Sequence, residues 1–198
     1  MLAGIVLAAG LSSRMGAEKM LLPFGEGTVL EAAISRIPND VLDQLLVVTR
    51  QEIWDAVELP QITSFILNRS PEKGQAESLQ LGIAYLRSNF SYCQGILIFL
   101  GDHPLTNPRL ICDVVRILEE NPKAIVLPEY HGIIGHPVAF GSKWFSYLEN
   151  QNGDMGGRRL IVEYPEAVIR IPGDETCIMD MDSKADYRRI LNYAEKYQ

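Results

Sequence analysis

Short apolar runs alternate along this chain with stretches whose apolar residues recur at helical spacing. That alternation leaves few options, because strands joined by helical crossovers form a mostly parallel sheet covered on both faces. Residues 3–7 are small or β-branched and end at a glycine turn, which suits a strand buried on both sides. Residues 28–37 follow with Val29, Leu30, Ala33, Ile34 and Ile37 on one face, and Thr28 with Glu31 reads as a capping box. Strands are expected at 45–49 and 62–67, with a helical stretch at 51–57 between them. Residues 75–87 read as a helix with Ala76, Leu79, Ile83 and Leu86 on one face. The clearest strand is 95–100, five apolar residues running into Gly101-Asp102-His103-Pro104. Further on, helices are expected at 107–120, 143–149, 155–163 and 185–196, and strands at 124–127 and 167–171. Residues 137–140 read as a strand off the main alternation. The expected fold is therefore α/β, doubly wound, in one domain over residues 1–198. Right-handed crossovers put the strand C-termini along one edge, where ligands bind, so residues 10–19 and Asp102 should face one crevice.

Composition narrows the function classes. The chain has 198 residues, 47% hydrophobic and 22% charged, enough to bury a core without a disulfide or metal staple. Its formal net charge of −7 argues against a general nucleic-acid binder or a polybasic membrane binder. An anionic ligand would have to be held by a few local cations, backbone N–H groups or a metal ion. No apolar run approaches the roughly 20 residues that span a bilayer. The apolar start lacks a basic leader and runs into a Gly/Ser/Arg loop, so it reads as a strand. Three widely spaced cysteines, with no CxxC, fit a reducing, cytoplasmic location.

The first chemistry-bearing stretch is Leu7-Ala8-Ala9-Gly10-Leu11-Ser12-Ser13-Arg14-Met15-Gly16-Ala17-Glu18-Lys19. A glycine- and serine-rich turn after a buried strand aims successive N–H groups into one concavity, which suits phosphate oxygens. Gly10 and Gly16 permit positive φ and close ligand approach, and Arg14 and Lys19 add positive charge. The spacing is neither Walker A nor GxGxxG, since five residues separate the glycines and Lys19 comes three later. The spacing alone fits a tight strand-to-helix turn with two solvated cations equally well. Asp102, at the end of its strand, is either a cap or a metal ligand. Beside a phosphate loop the metal is the better reading, because Mg²⁺ takes one or two carboxylates and fills its shell with phosphate and water. Asp180 and Asp182 point the same way if the chain there is extended; the alternative is that Asp182 or Ser183 caps the last helix. Weaker signals are Gly135-His136-Pro137, a turn that approaches a ligand, and the polar loop 68–75, which could reach a base or ribose. The loop 153–158 reads as a mobile surface turn. No HExxH or GxSxG occurs, so zinc-histidine and serine-hydrolase chemistry are disfavoured.

Taken in order, these motifs resemble the MobA-like nucleotidyltransferases, and among them the molybdenum cofactor cytidylyltransferases. The matching pieces are Leu7-Ala8-Ala9-Gly10-x-Ser12-x-Arg14-Met15-Gly16-x-x-Lys19; Gly74 with Ser78; Gly101-Asp102-x-Pro104; Gly135-His136-Pro137; Gly153-Asp154-x-Gly156-Gly157-Arg158; and Asp180-x-Asp182-Ser183-x-x-Asp186. The resemblance implies a Rossmann-like fold of the nucleotide-diphospho-sugar transferase type. It implies that Arg14 and Lys19 hold triphosphate, that Asp102 binds Mg²⁺ and that Asp180 and Asp182 complete the metal site. Leu7, Ala8, Ala9, Gly10, Ser12, Ser13, Gly16, Gly74 and Ser78 would bind substrate, with His136 and Pro137 near the molybdopterin side. Ala9 stands where guanylyl-transferring relatives carry Gly, which favours CTP over GTP. Implied partners are CTP, a molybdopterin-type acceptor, and a molybdoenzyme or its maturation chaperone. Alternatives are GTP or ATP as donor, a sugar or alditol phosphate as acceptor, or a non-catalytic molybdopterin-binding chaperone. Ser183 replaces the usual Thr of the last motif, a change that keeps the capping hydroxyl.

Overall fold

The computed structural model describes residues 1–12, 15–59, 63–150 and 157–197. The elements run β1 (Leu2–Ala8), a small hairpin of β2 (Pro23–Phe24) and β3 (Gly27–Thr28), α1 (Val29–Ser35), β4 (Gln44–Thr49), α2 (Gln51–Trp54), β5 (Thr63–Leu67), α3 (Gln75–Asn89), β6 (Gly95–Leu100) and α4 (Pro108–Glu120). Then come β7 (Ile125–Tyr130), β8 (Ile133–Ile134), β9 (Val138–Gly141), α5 (Phe145–Glu149), α6 (Arg158–Glu163), β10 (Val168–Pro172) and α7 (Lys184–Tyr197). Ile62, expected in a strand, and residues 155–156, expected in a helix, lie outside the described residues.

The main sheet has the order β10-β7-β9-β6-β1-β4-β5, with β8 on β7. Strands β6, β1, β4 and β5 pair in parallel, as the alternation requires. Successive residues of β1 serve opposite faces. Ala3, Ile5 and Leu7 pack with Leu79, Ile83 and Leu86 of α3. Leu2, Val6 and Ala8 pack with Leu30 and Ile34 of α1 and Ile111, Val114 and Leu118 of α4. The capping box on α1 forms as expected: Glu31 N–H donates to Thr28 Oγ1 at 3.3 Å, and Thr28 N–H donates to Glu31 Oε2 at 2.7 Å. Among the described residues no helix is long and apolar enough to cross a membrane.

The 137–140 stretch is a strand off the strand–helix alternation, as expected. It forms β9, which enters the middle of the sheet antiparallel to both β6 and β7. The chain reverses after β7 through His131 and Gly132, both at positive φ. β8 and then β9 return along β7, so no crossover helix announces the strand. All four β9 residues are buried. The insertion depends on Gly141, which faces Gly95 across the ladder and lies so close to the next layer that a Cβ would overlap the Pro122 carbonyl oxygen.

Gly141→Ala is therefore expected to destabilise the protein by about 2 kcal/mol or more in urea denaturation, because backbone must move. Gly10→Ala, whose Cβ meets open space, should shift stability by less than about 0.5 kcal/mol.

Candidate active site

Parallel pairing of β1 with β6 opens their C-terminal ends on one edge, and the loop after β1 meets Asp102 there. Lys19 Nζ donates to Asp102 Oδ2 at 2.5 Å and to Asp182 Oδ1 at 3.2 Å. Lys19 opens a single 3₁₀ turn, Lys19–Leu21, anchored by buried Met20. Asp182 is presented by an alternation of Met179-Asp180-Met181-Asp182. Met179 and Met181 are buried in a cluster with Met15, Phe24 and Ile190, which leaves both acids on the other side of an extended chain. Ser183 caps α7: its N–H and hydroxyl donate to Asp186 Oδ2 at 3.0 and 2.6 Å, and Asp186 N–H donates back to Ser183 Oγ at 3.2 Å. Asp182 is thereby turned to Lys19 instead of capping.

Burial lowers the affinity of Lys19 for its proton, but Asp102 first and Asp182 second outweigh burial and hold the ammonium above its ordinary pKa. Burial likewise opposes ionisation of Asp102, and His103 and Lys19 together hold its carboxyl below the usual range. Burial depresses the pKa of His103 itself, against the opposing pull of Asp102. Asp180 is pushed up by burial and by the charges of Asp182 and Asp102, against the opposing pull of His103. His136 is pushed down to about 3 by burial and then by His103, so it is a neutral imidazole. The two histidine rings meet edge to face at 5.5 Å, and neither ring nitrogen of His103 has a hydrogen-bond partner among the described residues.

Two cavities adjoin at the Lys19–Asp102 contact. The larger, about 410 Å³, has His136, Arg158, Asp180 and Asp182 as polar groups and an apolar wall of Ile98, Ile134, Val138, Phe140 and Ile161. The smaller, about 280 Å³, is bounded by Ala9, Gly10, Gly74, Gln75 and Ser78. Leu7, Lys19, Gln75, Leu100 and Asp102 line both. Gly74, at φ +87, caps α3 without a side chain, so the first N–H groups of that helix stand beside the smaller cavity.

Other expected residues fall elsewhere. Ala8 is fully buried, and Pro137 sits buried behind His136, after a cis peptide bond. Positive φ occurs at Gly16 and at Ser12, not at Gly10. Ser12 lines neither cavity; its hydroxyl closes the loop on Glu18 at 3.0 Å. Ser13 and Arg14, with Gly153, Asp154 and Gly156, lie outside the described residues. The 68–75 loop turns Asn68 inward, where its Nδ2 donates to Ser78 Oγ at 2.8 Å and its Oδ1 accepts Ser70 N–H at 2.8 Å. Asn68 therefore holds the loop and does not face a ligand. The far end of the 68–75 loop, Gly74 and Gln75, does border the smaller cavity; sequence reasoning missed Leu100 and the apolar wall of the larger cavity, because apolar strand ends carry no chemical signature.

A metal can be held here by few protein ligands. Among the described residues no group of three or more His, Cys, Asp or Glu side chains is arranged to hold one. Asp102 and Asp182 do share one cation, the Lys19 ammonium, and Asp180 does not join them in a three-donor set. Two carboxylates are what Mg²⁺ takes from a protein when phosphate and water complete its shell.

Comparison with known proteins adds identity to this geometry. The family described as MobA-like NTP transferase domain matches residues 4–168. The chain is 29% identical over 169 residues to the purine catabolism protein PucB of Bacillus subtilis strain 168, covering 81% of this chain and 80% of that protein. It is 25% identical over 187 residues to the molybdenum cofactor cytidylyltransferase of Escherichia coli K12, covering 92% of each. It is 24% identical over 197 residues to a probable molybdenum cofactor guanylyltransferase of Thermococcus sibiricus, covering 94% and 96%. Among solved structures, Rv0371c of Mycobacterium tuberculosis H37Rv superimposes with a TM-score of 0.82 at 30% identity, over 96% of this chain and 97% of that one. The same protein in complex with manganese gives 0.80 at 28% identity, with the same coverage.

The ion pair sets a pH dependence. Asp102 is depressed, so its contribution is present above the ordinary carboxylate value and is lost as pH falls through the depressed one. Lys19 is raised, so its contribution holds below the ordinary lysine value and is lost as pH rises through the raised one. Asp102→Asn should cost about 2 kcal/mol at neutral pH. In thermal or urea melts the gap to wild type should stay constant from about pH 5 to 9 and close below about pH 4.

Proposed function

This chain belongs to the MobA-like NTP transferase family and is a nucleotidyltransferase; we propose that it transfers CMP from CTP to the terminal phosphate of molybdopterin, releasing pyrophosphate. The observation that carries this reading is the Lys19 ammonium, set between Asp102 and Asp182 on the wall common to two cavities. The smaller cavity takes the nucleotide, with Gly10, Gly74 and Ser78 around it. Ala9 lines it, and by the resemblance an alanine at that position favours CTP over GTP. The larger cavity takes the acceptor: its apolar wall suits a flat heterocycle, and His136 and Arg158 stand at its polar side. The product passes to a molybdoenzyme or its maturation chaperone.

The reaction asks for charge neutralisation and alignment. The acceptor phosphate is largely a dianion at neutral pH, its second pKa being about 6, so no general base is required. Two unit charges 4 Å apart repel by about 4 kcal/mol at an effective dielectric of 20, roughly three powers of ten in rate if uncompensated. Lys19 supplies a positive charge at the junction of the cavities. Arg14, by the resemblance, also holds triphosphate. Asp102 and Asp182 would hold Mg²⁺, which would supply positive charge against the charge that develops on phosphate. Neutral His136 presents a ring to the acceptor side without adding charge.

A panel of CTP, GTP, ATP and UTP with molybdopterin and Mg²⁺, following pyrophosphate and dinucleotide together, tests the reading. CTP alone should give both products. Turnover with GTP alone would move the enzyme to guanylyl transfer, and CTP binding without turnover would favour the chaperone role. Lys19→Ala and Asp102→Ala should each lower turnover by about two powers of ten or more, the scale for losing a transition-state charge contact. Near-normal activity in Asp102→Ala would remove the metal assignment.

A further inference from the structure

The proposed nucleotide site rests on a loop that must hold its backbone in place before any ligand arrives, and the residue that braces it lies outside the loop. We propose that Arg50 is a positioning residue for nucleotide binding, its guanidinium holding Gly10 and Glu18 together and thereby setting the backbone of Lys19. This rests on the nucleotidyl-transfer reading above.

Arg50 directly follows β4, which lies beside β1 with Thr49 opposite Ala8. The Thr49 hydroxyl donates to the Ala8 carbonyl at 3.2 Å, so the two strand ends are fixed together. From that anchor Arg50 Nη2 donates to the Gly10 carbonyl at 3.3 Å and pairs with Glu18 Oε2. The other Glu18 oxygen accepts the Ser12 hydroxyl at 3.0 Å, and Ser12 Oγ accepts the Lys19 backbone N–H at 3.2 Å. Polar contacts thus run without a break from β4 to the residue whose ammonium faces Asp102 and Asp182. Ser12 holds φ +50, a conformation that a residue with a Cβ keeps only when its surroundings impose it.

Burial separates this contact from an ordinary surface pair. The Arg50 side chain is 17% exposed and that of Glu18 22%. Exposed ion pairs contribute little, whereas breaking a shielded one leaves a charge without compensation. The second approach of Arg50, to exposed Glu52 at 3.8 Å, has no such shielding. Glu18 also neutralises Arg50, so the guanidinium shapes the loop without competing with Lys19 for the triphosphate.

Calorimetry on the full chain with Mg²⁺·CTP and Mg²⁺·GTP in turn tests the brace. Arg50→Ala and the isosteric Glu18→Gln should each weaken binding of the nucleotide that wild type takes by about tenfold, and the double variant should be no worse than about twice the weaker single, because each single already breaks the same contact. Amide exchange at Lys19 in the ligand-free variants should quicken while exchange in β1 stays as in wild type, a local change that general destabilisation would not give. Singles that bind within twofold of wild type, losses that multiply in the double variant, or unchanged exchange at Lys19 each overturn the proposal. A wild type that binds neither nucleotide would remove the functional reading and this inference together. That outcome is distinct from a wild type that binds and variants that bind equally well.

Discussion

One ammonium satisfies two carboxylates drawn from distant parts of the chain. Lys19 is 83 residues from Asp102 and 163 from Asp182, yet its Nζ reaches both. A lysine so enclosed is costly to keep charged unless opposite charge meets it. Folding therefore has to deliver the β1 loop, the end of β6 and the segment before α7 to one point. The parallel pairing of β1 and β6 delivers the first two. Packing of Met179 and Met181 against Met15 and Phe24 delivers the third, so the hydrophobic effect aims the acids.

The reversed strand β9 ties the remaining side of the site to the same point. Val138 and Phe140 give the larger cavity part of its apolar wall, and His136 lines it as well. The turn before β9 is held from both directions: Gly135 N–H donates to the Pro128 carbonyl at 2.8 Å and His136 N–H to the Cys177 carbonyl at 2.9 Å. Cys177 belongs to the 3₁₀ turn Glu175–Ile178, which leads straight into Asp180 and Asp182. A shift of β9 would therefore move the acids as well as the wall, and Gly141 carries weight beyond its own contact.

What could be read from the chain alone follows a physical division. The capping box at Thr28 and Glu31 involves groups three residues apart, and local spacing shows it. The buried strands at β1 and β6 declare themselves by apolar runs ending at glycine. Acids at 180 and 182 alternating with methionines announce an extended segment with one wet and one dry side. β9 was legible as a strand but not as a neighbour of β6, because period-two patterning names a face and never the adjacent strand. The two-residue strands β2 and β3 are too short to show a period. Arg50 carried no signal either: a lone arginine after a strand looks solvated, and only the register of β4 against β1 brings it to Gly10 and Glu18. In the polar loop 68–75, Asn68 is turned inward by hydrogen bonds to Ser78 and Ser70, while the Gly74–Gln75 end borders the smaller cavity.

A net charge of −7 sets the last constraint. On average the surface repels a triphosphate, but salt screens that field beyond about 8 Å at physiological ionic strength. Inside that distance the described part of the site holds Lys19, Arg158 and the start of α3, which no side chain caps. Placing cations there without partners would strain the free protein, because two positive side chains packed by one loop repel each other as strongly as a bound anion attracts them. The fold resolves this for Arg50 and Lys19 by giving Arg50 the Glu18 carboxylate and Lys19 the carboxylates of Asp102 and Asp182. The Arg50 pair stays closed and shapes the loop. The Lys19 pair borders both cavities, which places the exchangeable contact where a phosphate would arrive and the fixed contact behind it.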